Sequence, residues 1–147
     1  MSEQTREALV SRLVFQRDSQ RTDLLDINLT NTDLIALLKD LTDAGWRIEI
    51  TAVRTDHSDD SGLGFHCHAH GFCADLWPLA SGNAGDYLDA ADERFQHFLR
   101  ACAASPFLFQ IGLAGEAWTT ANAAAAGPTV FQDDGASHIH LGATDPH

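Results

Sequence analysis

Five of the eight histidines in this 147-residue chain fall in two tight clusters. The first is His66-Cys67-His68-Ala69-His70-Gly71-Phe72-Cys73-Ala74-Asp75, and the second is His138-Ile139-His140. On a strand, residues i and i+2 point to one face. His138 and His140 therefore present two imidazoles side by side, close enough to converge on one metal or one substrate. Within a short strand expected at Phe72–Leu76, Asp75 shares a face with Cys73, while Phe72, Ala74 and Leu76 face the core. That pins a carboxylate to a rigid strand next to a histidine-rich loop. Imidazole and carboxylate ligands with one open position are what a catalytic zinc requires.

Several familiar spacings do not fit. His66-Cys67-His68 could open a cupin-type site, but no glutamate follows at the short distance expected. A JAB-type protease needs a serine and an aspartate after its HxH, and that serine is missing. HExxH and the paired CxxC of a zinc ribbon are both absent. Cys67 and Cys73 could act as thiolate ligands, yet no second cysteine pair completes a structural site.

One pattern does match. His68-x-x-Gly71-x-x-x-Asp75 followed by His138-x-His140 resembles the zinc D-Ala-D-Ala carboxypeptidase superfamily. That group also holds the lysostaphin-type endopeptidases and the hedgehog signalling domain. The resemblance implies zinc ligands at His68, Asp75 and His140, and a carbonyl-polarising role for His138. It implies an acid/base carboxylate at Asp134, where the family usually has Glu, with Asp133 as the alternative. It further implies that Arg54, 14 residues before His68, holds a substrate carboxylate. Cys73 stands where the family has a small residue, a mild departure. The match spans about Arg54 to Leu141, but its specific content is about six residues.

Each assignment has a plainer competitor. Asp134 precedes Gly135, the ordinary signature of a tight turn. Arg54 could be a solvated strand-end charge, and His138 a simple exposed histidine. His66 or His70 could replace His68 if the loop register differs, and Asp56 and His57 could line the same cleft. Trp77 reads as wall packing rather than as a substrate platform.

The elements that must position these residues are legible from periodicity. Glu3–Phe15 reads as a helix, Leu24–Leu29 as a strand, and Thr32–Ala44 as the best-marked helix. The last carries Leu34, Leu37, Leu38 and Leu41 on one stripe. Trp46–Arg54 alternates as a half-buried strand, and Thr55–Gly71 reads as a loop. Asp86–Ala104 is a helix, Phe107 to Ile111 a strand, and Glu116–Ala126 a helix. Thr129–Gln132 and Ser137–Leu141 read as a hairpin around Asp134-Gly135. The expectation is one α+β domain over residues 1–147: a mostly antiparallel sheet flanked by helices, with a zinc site on the sheet and the HxH on a C-terminal hairpin.

Composition narrows the function. There are 21 acidic against 9 basic residues, a formal charge of -12. Such a surface repels phosphate backbones and anionic lipid, which argues against nucleic-acid and membrane partners. It also disfavours a lysin that grips anionic cell wall. Apolar residues make up 44%, enough for a core. No secretory signal is visible, and no run approaches the roughly 18 apolar residues of a membrane span. A cytoplasmic protein with reduced thiols at Cys67, Cys73 and Cys102 is expected, with phage-type release as the alternative. The function expected is a zinc metallopeptidase, a hydrolase of short peptides of peptidoglycan type, acting as a D-Ala-D-Ala carboxypeptidase or dipeptidase. The alternatives are a hedgehog-like zinc-binding module without peptidase activity and a structural zinc protein.

Overall fold

A computed structural model describes residues 2–53 and 71–143. Five α-helices are described: α1 Glu3–Val10, α2 Asp18–Leu25, α3 Thr32–Asp43, α4 Glu93–Ala104 and α5 Thr120–Ala126. The strands are β1 Leu13–Phe15, β2 Ile48–Ala52, β3 Cys73–Pro78, β4 Gln110–Ala114, β5 Val130–Asp133 and β6 His138–Gly142. They form one open sheet in the order β1-β2-β3-β6-β4-β5. The pairs β1/β2 and β4/β5 are parallel, while β2/β3, β3/β6 and β6/β4 are antiparallel.

Alternation decides what each strand buries. Ile48, Ile50, Ala74, Leu76, Ile111, Leu113, Ile139 and Leu141 are fully buried in one apolar cluster. That cluster also takes in the leucine stripe of α3 and Phe95, Phe98 and Leu99 of α4. The strongest sequence feature is thus the firmest in the fold: α3 starts on Asn31, whose side chain accepts from the Asp33 N–H, and its leucines meet the sheet. No described helix is long and apolar enough to cross a membrane.

The sheet is mixed rather than mostly antiparallel, and the C-terminal hairpin does not form. β4 lies between β5 and β6 and pairs with both. The parallel β4/β5 pair needs a crossover, which α5 supplies. Asp134-Gly135 therefore links two strands that are not neighbours. Local turn chemistry could not reveal this, because the choice of partner rests on long-range packing.

Near the N-terminus, the helix expected over Glu3–Phe15 stops at Val10, and Leu13–Phe15 pair with β2 instead. The strand expected at Leu24–Leu29 is largely the end of α2 and a turn. Gln20 starts that helix by accepting from the Arg17 N–H at 3.1 Å, and it donates to the Thr51 carbonyl at 3.0 Å. A short apolar run cannot by itself distinguish buried helix from strand.

Because β6 is an interior strand, its apolar side chains carry the sheet. Leu141→Ala should lower stability by about 2–5 kcal/mol, the usual cost of a buried leucine truncation. Urea unfolding followed by circular dichroism would measure it.

Candidate functional site

The side chains of β6 that face away from the apolar cluster are those of His138 and His140, with Gly142 next on the same face. Register gives each a set of neighbours across the sheet. His140 lies opposite Asp75 of β3 and opposite Gly112 of β4, and Gly112 lies opposite Phe131 of β5. Four strands thus contribute one row, Asp75–His140–Gly112–Phe131.

Each member of that row explains the next. The His140 Nδ1 is 3.1 Å from Asp75 Oδ1, and its Nε2 is 3.3 Å from the side-chain amide of Gln110. The Phe131 ring meets the imidazole edge-on, with centroids 5.8 Å apart. This needs Gly112: a Cβ there would stand 2.6 Å from the Phe131 ring and 3.1 Å from His140 Cβ. His140 is only 1% exposed, so its ring is held in place by its neighbours rather than by solvent.

A second row holds His138, Ala114 and Asp133 on β6, β4 and β5. Strands two apart lie about 10 Å from one another, so side chains meet over the middle strand only if its residue is small. Ala114 is, and the Asp133 carboxylate reaches His138 Nε2 at 2.8 Å. The other ring nitrogen, Nδ1, lies 2.8 Å from the Ala136 carbonyl. Asp75 Oδ1 is 3.9 Å from His138 Nε2, so one carboxylate stands between the two imidazoles.

Burial works against charge on His138. The Asp75 charge, the Asp133 hydrogen bond and the Ala136 carbonyl outweigh it and raise the imidazole pKa above its ordinary value.

Asp75, Trp77 and His138 border an open cavity of about 590 Å³ that Tyr87, Asp89 and Glu116 also line. That volume lies within the range of small-molecule sites. One wall is fastened by Glu49, a buried residue of β2 on the face opposite Ile48 and Ile50. It accepts from the Tyr87 hydroxyl and, at 3.1 Å, from the Gly85 N–H. The bond to Glu49 raises the Tyr87 pKa. Trp77 is packing, as expected: it rests against Phe95 at 5.0 Å and donates to the Leu88 carbonyl.

The structure therefore brings Asp75, His138 and His140 together. Asp134 is exposed in the turn after β5, and of the two adjacent aspartates it is Asp133 that reaches His138. His68, Arg54, His66, His70, Asp56 and His57 lie outside the described residues. Among the described residues no group of three or more His, Cys, Asp or Glu could hold a metal. Asp75 and His140 could still supply two donors of a larger set. Two ligands of a tetrahedral zinc lie about 3.3 Å apart, and Nδ1 and Oδ1 are 3.1 Å apart.

One expectation fails here. Cys73 is disulfide-bonded, so its sulfur is neither a reduced thiol nor a thiolate ligand. Cys102 is a free buried thiol, as expected, and burial keeps it protonated.

Gln110, Phe131, Glu49 and Tyr87 escaped the sequence reading. Parity could have flagged Gln110, which shares a face with Gly112 on an alternating strand. Strand order, needed to bring it beside His140, is not local information. No family model matches the chain, and no curated protein or solved structure matches it either.

In metal-free protein, His138 should titrate above the ordinary imidazole value of about 6.5, read by NMR of its ring protons. Asp133→Asn should bring the midpoint down. Because the folded pKa is the higher one, the stabilising effect is complete below the unfolded value and fades as pH rises through the folded one. The difference in melting temperature between wild type and Asp133→Asn should shrink across that same window.

Proposed function

We propose that the chain is a zinc-dependent peptidase of short peptides, of the peptidoglycan-type D-Ala-D-Ala carboxypeptidase or dipeptidase class. The observation that carries this reading is the cross-strand pair Asp75–His140, with His138 two residues away on the same face and bordering a ligand-sized cavity. In this reading His68 joins Asp75 and His140 as the third ligand. Zinc held there would supply a Lewis acid and bring the pKa of water toward neutrality.

The chain's own residues do the rest. His138, both ring nitrogens engaged by Asp133 and the Ala136 carbonyl, acts through the positive charge those two acceptors favour, which borders the cavity and stabilises oxygen charge developing on the peptide carbonyl. Asp133 accepts and returns the proton that passes to the leaving amine, and Asp134 is its alternative. Arg54 binds the terminal carboxylate of the peptide. The disulfide at Cys73 favours an oxidising setting, and so phage-type release, over the reducing cytoplasm.

A second reading is a hedgehog-like zinc-binding module without peptidase activity. The engagement of Asp133 by His138 favours it, since a carboxylate already bonded to an imidazole is less free to serve as a base.

Metal analysis and hydrolysis of D-Ala-D-Ala dipeptides and muropeptides separate these readings. One zinc per chain is expected. His140→Ala should lose it, and His138→Ala should keep it while losing turnover. Replacing the true base, tested as Asp133→Ala and Asp134→Ala, should cut hydrolysis by about 10²–10⁴-fold with metal retained. Zinc bound without hydrolysis selects the binding module. No zinc bound removes both.

A further inference from the structure

The Gln110 side chain faces the far nitrogen of His140. It lies in a hollow over its register partner Gly142, where a Cβ would stand 2.7 Å from Gln110 Cγ and 3.1 Å from its amide nitrogen. That hollow holds the amide at 3.3 Å from His140 Nε2. On the near side, Nδ1 faces Asp75 Oδ1 at 3.1 Å.

A neutral imidazole carries one N–H and one lone pair, so a donor at one nitrogen calls for an acceptor at the other. With the Gln110 N–H donating to Nε2, the ring proton sits on Nδ1 and is donated to Asp75. In that tautomer the atom beside Asp75 has no lone pair to offer a metal. A primary amide carries both a donor and an acceptor, and a half-turn about its last torsion exchanges them. The Gln110 carbonyl then accepts from Nε2–H, and the lone pair of Nδ1 points at the Asp75 side. One proton leaves Nδ1 and one arrives at Nε2, exchanged with solvent, so the ring stays neutral.

We propose that Gln110 is a positioning residue that sets the tautomer of His140, switching it between a hydrogen bond to Asp75 and a metal-ready state. This rests on the reading that Asp75 and His140 hold the metal. Outer partners of ligating histidines fix ring tautomer in this way, and losing one typically weakens metal binding by about 10–100-fold. Glutamine is suited to the task because it can serve both tautomers. Glutamate in the same hollow could only accept, and methionine could do neither.

The test uses the full chain and its Gln110→Glu and Gln110→Met variants. Long-range ¹H–¹⁵N NMR reads which ring nitrogen of His140 carries a proton without metal, and competition with a chromophoric chelator reads zinc affinity. Wild type should carry its ring proton on Nδ1 alone, whereas Gln110→Glu should place a proton on Nε2. Gln110→Met should bind zinc about 10–100-fold more weakly, with metal-free melting close to wild type. An Nε2 left bare in Gln110→Glu as in wild type, or wild-type zinc affinity in a folded Gln110→Met, overturns the proposal. If Gln110→Met does not fold, the Nε2 proton of Gln110→Glu decides alone. Wild type that binds no zinc removes the metal reading, and this proposal with it. Zinc binding that ignores residue 110 removes only the proposal.

Discussion

Because β6 hydrogen-bonds to β3 on one side and β4 on the other, the polar face of this sheet has a single possible composition. Ile139 and Leu141 are both fully buried, so the strand cannot slip by one residue without exposing them and burying His138. Register with β3 then places Asp75 opposite His140, and register with β4 places Gly112 there. The apolar core thus fixes the polar site.

The middle strand shapes the site by what it lacks. β4 presents Gly112 and Ala114 to the polar face, two of the smallest side chains available. Phe131 crosses over the first to reach His140, and Asp133 crosses over the second to reach His138. A larger residue at either place would keep β5 from contributing. The parallel β4/β5 pairing matters for the same reason, since it aligns Phe131 with Gly112 and Asp133 with Ala114. A direct β5/β6 hairpin would have no such gap for the side chains to bridge.

This separates what was legible in the sequence from what was not. Facing is a local property, so the alternation of β3 and β6 correctly set Asp75, His138 and His140 apart from their apolar neighbours. The stripe of α3 was equally plain. Strand order is not local: Asp134-Gly135 carries a turn signature whether or not the flanking strands pair. The assumed hairpin also drew attention to Asp134 at its tip. With β4 inserted, Asp133 at the end of β5 is the residue in reach. Glu49 and Gln110 were hidden for a related reason, because a polar residue on an alternating strand reads as solvated until its neighbours are known.

Electrostatics gives the two histidines different characters within one short strand. His138 has the carbonyl of Ala136 and the carboxylate of Asp133 at its two nitrogens, both acceptors, so the charged ring satisfies both contacts. His140 has a carboxylate on one side and, on the other, an amide that can either donate or accept. An imidazole with a lone pair can ligate a metal, and a charged one can stabilise an oxyanion beside it. Neighbours on adjacent strands, rather than the HxH spacing alone, divide the labour between its two members. Asp75 borders both rings, close to His140 and 3.9 Å from His138. Any cation bound between Asp75 and His140 would compete with the charge on His138 for the same carboxylate, coupling occupancy of one half of the site to the protonation of the other.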